Sequence, residues 1–170
     1  MLCMGFEPVI APDSVVLILG SMPGELSLER QEYYGNPRND FWRLLASLHG
    51  EDHVPDTYEE RLRFALGRKI ALWDVLASCE REGSLDANIR EPAVNDFDAL
   101  FAEYPSLRTV LFNGAASEKL FRKHAGHLLA DSRLGFVRLP SSSPANAIGW
   151  KRKLAAWREA WQGVTGRREA

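Results

Sequence analysis

The stretch "SVVLILG", residues 14–20, decides the fold. An unbroken apolar run that ends in glycine is the pattern of a strand buried on both faces. Three more short runs follow the same rule: "KIALWDVL" (69–76), "RTVLFNG" (108–114) and "GFVRLP" (135–140). Helical patterns separate them. Phe41, Leu44, Leu45 and Leu48 recur at i, i+3, i+4, i+7, and "TYEERLRFALG" (57–67) ends on a glycine stop. "NDFDALFAEY" (95–104) carries Asn95 as an expected N-cap, and "AASEKLFRKHAG" (115–126) is a fourth helix. The last, from about Ala147, sets Trp150, Leu154, Trp157 and Trp161 on one stripe, which reads as core. Lys151, Arg152, Lys153 and Arg158 fall largely elsewhere. Strands alternating with helices predict an α/β protein whose mostly parallel sheet is covered on both faces.

Composition narrows the class. A chain of 170 residues with 45% hydrophobic content suits one domain with a proper core. Residues 1–162 are expected to form it and 163–170 a frayed tail. No apolar run approaches the ~18 residues of a membrane span. The start, "MLCMGFEPVIAPDS", lacks the charged opening of a signal peptide, so a cytoplasmic protein is expected. Cys3 and Cys79 have no metal-ligand spacing; they are expected as free thiols, with no metal, iron–sulfur cluster or other cofactor. Net charge is −2, but residues 1–103 carry 9 Lys/Arg against 19 Asp/Glu, and residues 104–170 carry 12 against 4. Such asymmetry fits either a basic face for a phosphate backbone or a solvated helix surface with a basic tail.

Ligands of such sheets bind beyond the carboxyl ends of the strands. The segments to weigh are therefore Gly20–Gly24, Asp74 onward, Asn113–Gly114 and Pro140–Ala147. "GSMPGELS" is neither a dinucleotide fingerprint nor a Walker loop; its two glycines around a proline suit a tight turn that a flat ligand can approach. "YYGNPRNDFW" (33–42) reads as Asn36 capping a helix with Pro37 at its first position. Asn39 would then lie in the first turn, near unpaired backbone N–H groups, where its amide can hold a water or a polar ligand atom. "LPSSSPANA" (139–147) offers three serines ahead of a helix, either a phosphate cradle or an ordinary turn. Asp74 either meets a ligand or caps the next segment. His49, His53, His124 and His127 show no triad spacing.

Taken together, "VLILGSMPGELSLERQEYYGNPRNDFW", "LWDVLASCEREGSLD", "FNG" and "LPSSSPANA" resemble the uracil-DNA glycosylase superfamily. They are most similar to its hypoxanthine-DNA (deoxyinosine) glycosylase branch, family 6. The resemblance runs from about residue 6 to residue 160. It implies a three-layer αβα sandwich around a four-stranded sheet, and a monomeric, monofunctional enzyme that hydrolyses the glycosidic bond of a flipped, deaminated base in DNA. Residue by residue, it implies that Tyr34 stacks on the extruded base and that Asn39 is the main catalytic side chain. It puts Gly20, Ser21, Met22, Pro23, Gly24, Asp74 and Asn113 around the base. Arg38 and the loop Ser141, Ser142, Ser143, Pro144, Ala145 and Asn146 are left to grip the DNA backbone. Two departures stand out. Met22 replaces an asparagine that orients water in the mismatch-specific branch, and the serine loop lacks the histidine of uracil-specific enzymes. A catalytically silent DNA- or nucleotide-binding protein on this fold is the alternative, and a serine hydrolase built on residues 141–143 a third.

Overall fold

The computed structural model describes the backbone of residues 1–169 and the side chains of residues 1–164. Its strands are β1 (Leu2–Met4), β2 (Val16–Gly20), β3 (Ile70–Asp74), β4 (Leu76–Glu80), β5 (Arg90–Val94), β6 (Thr109–Asn113) and β7 (Gly135–Leu139). The helices are α1 (Glu25–Arg30), α2 (Phe41–Leu48), α3 (Tyr58–Gly67), α4 (Phe97–Glu103), α5 (Ala115–Ala125) and α6 (Trp150–Glu169). The main sheet runs β3-β2-β6-β7, every neighbouring pair parallel. From β2 the chain goes first to β3 on one side and later to β6 on the other. The carboxyl end of β2 is thus the switch point at which a crevice opens.

Alternation along the central strand builds two cores. Val16 and Ile18 pack with Phe41, Leu44 and Leu45 of α2, Ala65 of α3 and Trp157 of α6. Leu17 and Leu19 point the other way, among Phe97, Leu100 and Phe101 of α4 and Phe121 of α5. The sheet is therefore covered on both faces, as the apolar run at 14–20 implied. The tryptophan stripe is core as read: Trp157 is buried, while Trp150, Leu154 and Trp161 pack against the same cluster.

Several local expectations need correction. Residues 69–76 are not one strand: β3 ends at Asp74, Val75 turns the chain, and β4 enters a separate antiparallel sheet, β1-β4-β5. That sheet and α1 were not foreseen, because their burial patterns are mixed or wholly exposed and carry no clean period. Helix α2 begins at Phe41, not at Pro37. Asn36 instead closes a turn, its Oδ1 accepting from the Arg38 N–H at 2.9 Å while the Asn39 N–H donates to the Asn36 carbonyl. For α4 the cap is Asp96, whose side chain accepts from the Ala99 N–H; Asn95 donates to the Asp74 carbonyl instead. Helix α6 starts at Trp150 and continues through Gly163 to Glu169, and the side chains of residues 165–170, within the expected tail, lie outside the described residues. Among the described residues no helix is long and apolar enough to cross a membrane, and no group of three or more His, Cys, Asp or Glu could hold a metal.

Candidate active site

Beyond the carboxyl ends of the parallel strands lies a cavity of about 340 Å³, a volume within the range of small-ligand sites. Gly20–Gly24, Tyr34, Asn39, Asp74, Asn113 and residues 141–145 all line it. Arg38 instead lines an adjoining groove, and Asn146 stands behind the loop, its amide donating to the Ser141 carbonyl. No histidine lines the cavity. Residues not singled out also line it, among them Glu25, Leu26 and Ser27 of α1 and Ser84, Leu85 and Asp86 of the β4–β5 connection. The Gly83-Ser84 turn signal in "EREGSLD" was available for the latter, but reading 69–76 as one strand hid the hairpin around it.

Tyr34 is held in the left-handed region at φ +55°, uncommon for an aromatic residue. Its ring stacks on Phe41, centroids 3.8 Å apart and planes 17° from parallel. Its hydroxyl accepts from Asn113 Nδ2 at 3.2 Å. Ring and hydroxyl together over-determine a strained backbone, the circumstance in which strain persists at functional sites. Burial, foremost, holds the Tyr34 hydroxyl in its protonated form.

Both N–H donors of the Asn113 amide are occupied. Besides Tyr34, Nδ2 donates to Ser142 Oγ and Oδ1 accepts from the Ser142 N–H, each at 2.9 Å. Ser142 is wholly buried, so it fastens the serine loop to β6 and offers nothing to solvent. Ser141 Oγ accepts from the Ser143 N–H, and Ser143 Oγ from the Ala145 N–H, local turns that shape the loop. The expected cradle of serines at a helix N-terminus is not formed, because α6 starts only at Trp150. Gly114, at φ +101°, lets the chain leave β6 where a Cβ would press within 3.1 Å of Ser141.

Asn39 sits just before α2, not in its first turn. Its Oδ1 accepts from the Phe41 N–H at 2.9 Å, which fixes which end of the amide is oxygen. Nδ2 has no partner among the described residues. The neighbouring Asp40 ties this segment down: its N–H donates to the Ser142 carbonyl at 3.0 Å, and Oδ2 accepts from Lys153 Nζ at 3.0 Å. Lys153, expected away from the core stripe, is 2% exposed and also donates to the Ser143 carbonyl at 3.1 Å.

At the floor, Asp74 is buried and its Oδ2 has no hydrogen-bond partner among the described residues. A Cβ on Gly20 would stand 2.5 Å from Asp74 Oδ1 and 3.3 Å from the Tyr34 hydroxyl, so only glycine admits both. Burial, with the charge of Asp86 added and Arg81 opposing, pushes the Asp74 carboxyl up to about 7 from 3.8. Between those values the folded state binds more protons than the unfolded chain. Asp74 therefore makes stability fall as pH rises from about 4 to 7 and stay low above that. Asp74→Asn, isosteric and uncharged, is expected to flatten this dependence and to raise stability at pH 8 by about 4 kcal/mol. Thermal melts of both proteins at pH 5 and pH 8 check it; parallel pH profiles contradict it. Met22 contributes no polar group, being 7% exposed within the core on the α4–α5 side of the sheet.

Residues 7–165 match the family model described as "Uracil DNA glycosylase superfamily". The chain is 40% identical over 163 residues to a hypoxanthine DNA glycosylase of Methanosarcina barkeri, covering 93% of this chain and 97% of that one. It is 38% identical over 159 residues to the hypoxanthine DNA glycosylase of Methanosarcina acetivorans, covering 92% and 96%. A solution NMR structure of a candidate uracil DNA glycosylase from Methanosarcina acetivorans superposes with a TM-score of 0.82 at 36% identity, covering 97% of this chain and 99% of that one. Fold, cavity and these likenesses converge: the chain belongs to the uracil DNA glycosylase superfamily.

Proposed function

We propose that this DNA glycosylase hydrolyses the bond between deoxyribose and a deaminated base, hypoxanthine foremost, and leaves an abasic site. The observation that carries the reading is that Tyr34 and Asn39 line one cavity at the switch point of the sheet. A base stacked in a duplex must swing out before its glycosidic bond can be reached. Backed by Phe41 on one face, the Tyr34 ring is a rigid platform on which a flat base can lie. Asn39, pinned by its oxygen to the start of α2, aligns the attacking water with what remains of its hydrogen-bonding capacity.

As the bond breaks, positive charge grows on the sugar and negative charge on the departing base. The carbonyls of Gly20, Ser21 and Pro23 are taken by the Val75 N–H, the Leu76 N–H and Arg81 Nη2. The N–H groups of the turn, which Pro23 alone lacks, then stand as a preorganised counterpart to the growing charge. Asp74 reads the base edge. DNA phosphates meet Arg38 and the rim of the serine loop, and their charge favours the sugar cation.

Met22, apolar where a water-orienting asparagine stands in the mismatch-specific branch, favours a second reading, a protein that binds DNA without cutting the bond. One experiment separates the two. Oligonucleotides holding inosine, uracil, xanthine or mismatched thymine are incubated with the protein and abasic sites are then cleaved with alkali. Strand scission strongest at inosine is expected; tight binding with no scission on any of them establishes the silent binder.

A further inference from the structure

Beside the central cavity runs a second, open groove of about 630 Å³, continuous with it through Tyr34, Asn39 and Pro144. Among the described residues four arginines line it, Arg30, Arg38, Arg43 and Arg61, against a single carboxylate, Asp40, which Lys153 already neutralises. Among the described residues none of the four arginines forms an ion pair. Three are nonetheless held in place. Arg30 Nη1 donates to the Gly35 carbonyl and Arg61 Nε to the Pro55 carbonyl, each at 2.9 Å, while the Arg43 guanidinium lies 3.7 Å over the Trp150 ring. Each keeps further N–H groups for a ligand in the fork geometry that suits phosphate oxygens. The rest of the central cavity's rim is different in kind: Glu25 and Asp86 line it there and do not line the groove.

Resting on the glycosylase reading above, we propose that the groove is the track of the damaged strand on one side only of the flipped nucleotide. Consecutive phosphodiesters sit on Arg43, Arg61 and Arg30, and the strand on the other side of the flipped nucleotide passes the acidic rim without comparable neutralisation. Three groups that are unpaired, preoriented and of one sign are a poor arrangement for stability and a good one for a polyanion. All four arginines come from the half of the chain that is acidic overall, so charge counted along the sequence does not reveal them.

The test is binding of a duplex with one 2′-fluoro-deoxyinosine, whose fluorine disfavours the cationic sugar and keeps the base attached. Single methylphosphonates replace phosphates in turn on each side of it, and Kd is followed against salt. For the natural protein, neutral linkages on one side alone are expected to lower the log–log salt slope, by about 0.9 for each phosphate charge removed from an arginine. The double variant Arg43→Gln, Arg61→Gln is expected to show a slope smaller by about 1.8 with duplex DNA, with no further decrease at the two linkages those arginines meet and the decrease at the Arg30 linkage kept. Arg90→Gln, on the β5 side, is expected to keep the natural slope. A footprint equal on both sides, or a double variant with the natural slope, overturns the track. Alkali-revealed scission of ordinary deoxyinosine by the natural protein, run alongside, reports on the glycosylase reading separately. A one-sided footprint without scission would sink that reading and leave the track standing.

Discussion

Asn39→Ala is expected to lower the single-turnover rate of base excision by about 10²–10³-fold, the scale of removing one oriented hydrogen-bonding group from a reacting centre. The side chain also accepts from the Phe41 N–H in the turn that leads into α2, so its loss costs about 1 kcal/mol of stability as well. Asn39→Asp separates the two effects. A carboxylate there accepts from the Phe41 N–H as well as the amide does, since Asp and Asn side chains form such turns alike. It gives up both N–H donors, however, and faces the negative charge that grows on the departing base. The expected result is a protein that melts with the natural one yet excises base about as poorly as the alanine variant. Single-turnover scission of an inosine oligonucleotide, beside thermal melts, checks it. An alanine variant that keeps its rate removes Asn39 from the chemistry, and excision retained by the aspartate variant shows that acceptor oxygen alone is required.

The sheet was legible because its strands are buried on both faces. "VLIL" at 16–19 has no polar position to confuse the period, and the same holds for "IALW" at 70–73. From there the ligand side of the molecule follows, and with it the neighbourhood of Gly20, Asp74 and Asn113. What was not legible was exposed or paired at long range. Strand β5 is exposed throughout, so its residues carry no burial pattern, and the hairpin that brings Asp86 to the cavity went unseen with it. "NPRND" satisfies the rule for a helix start, but Asn36 and Asn39 each use the side-chain oxygen on the N–H two residues ahead, which delays the helix to Phe41. Lys153 was misplaced for a different reason. A lysine off the apolar stripe reads as solvated, and only the fold reveals a carboxylate 113 residues away, in the loop before α2, that draws it inside.

That buried pair gives the second large effect. Lys153→Met keeps the length and apolar stem of the side chain but strands the Asp40 carboxylate, which is only 25% exposed, and deprives the Ser143 carbonyl of its donor. Breaking one partner of a buried pair costs about 3 kcal/mol, which for a chain of this size lowers Tm by roughly 6–12 °C. Removing both charges is far milder, because the desolvation that each ion suffered disappears with the pair. The double variant Asp40→Asn, Lys153→Met is therefore expected to recover most of the lost Tm. Excision is expected not to recover in step. Asp40 adjoins Asn39 and its N–H holds Ser142, which in turn holds Asn113 and, through it, the Tyr34 hydroxyl. Slackening at Lys153 thus reaches both the stacking ring and the water-aligning amide, and a displacement of about 1 Å at such a site is enough to cost some 10²-fold in rate. The signature is a double variant with near-natural Tm and KM but a depressed kcat. If kcat returns together with Tm, the pair holds the fold and nothing more; if Lys153→Met alone melts with the natural protein, the ammonium is not the clamp that its burial and its two oxygen partners make it.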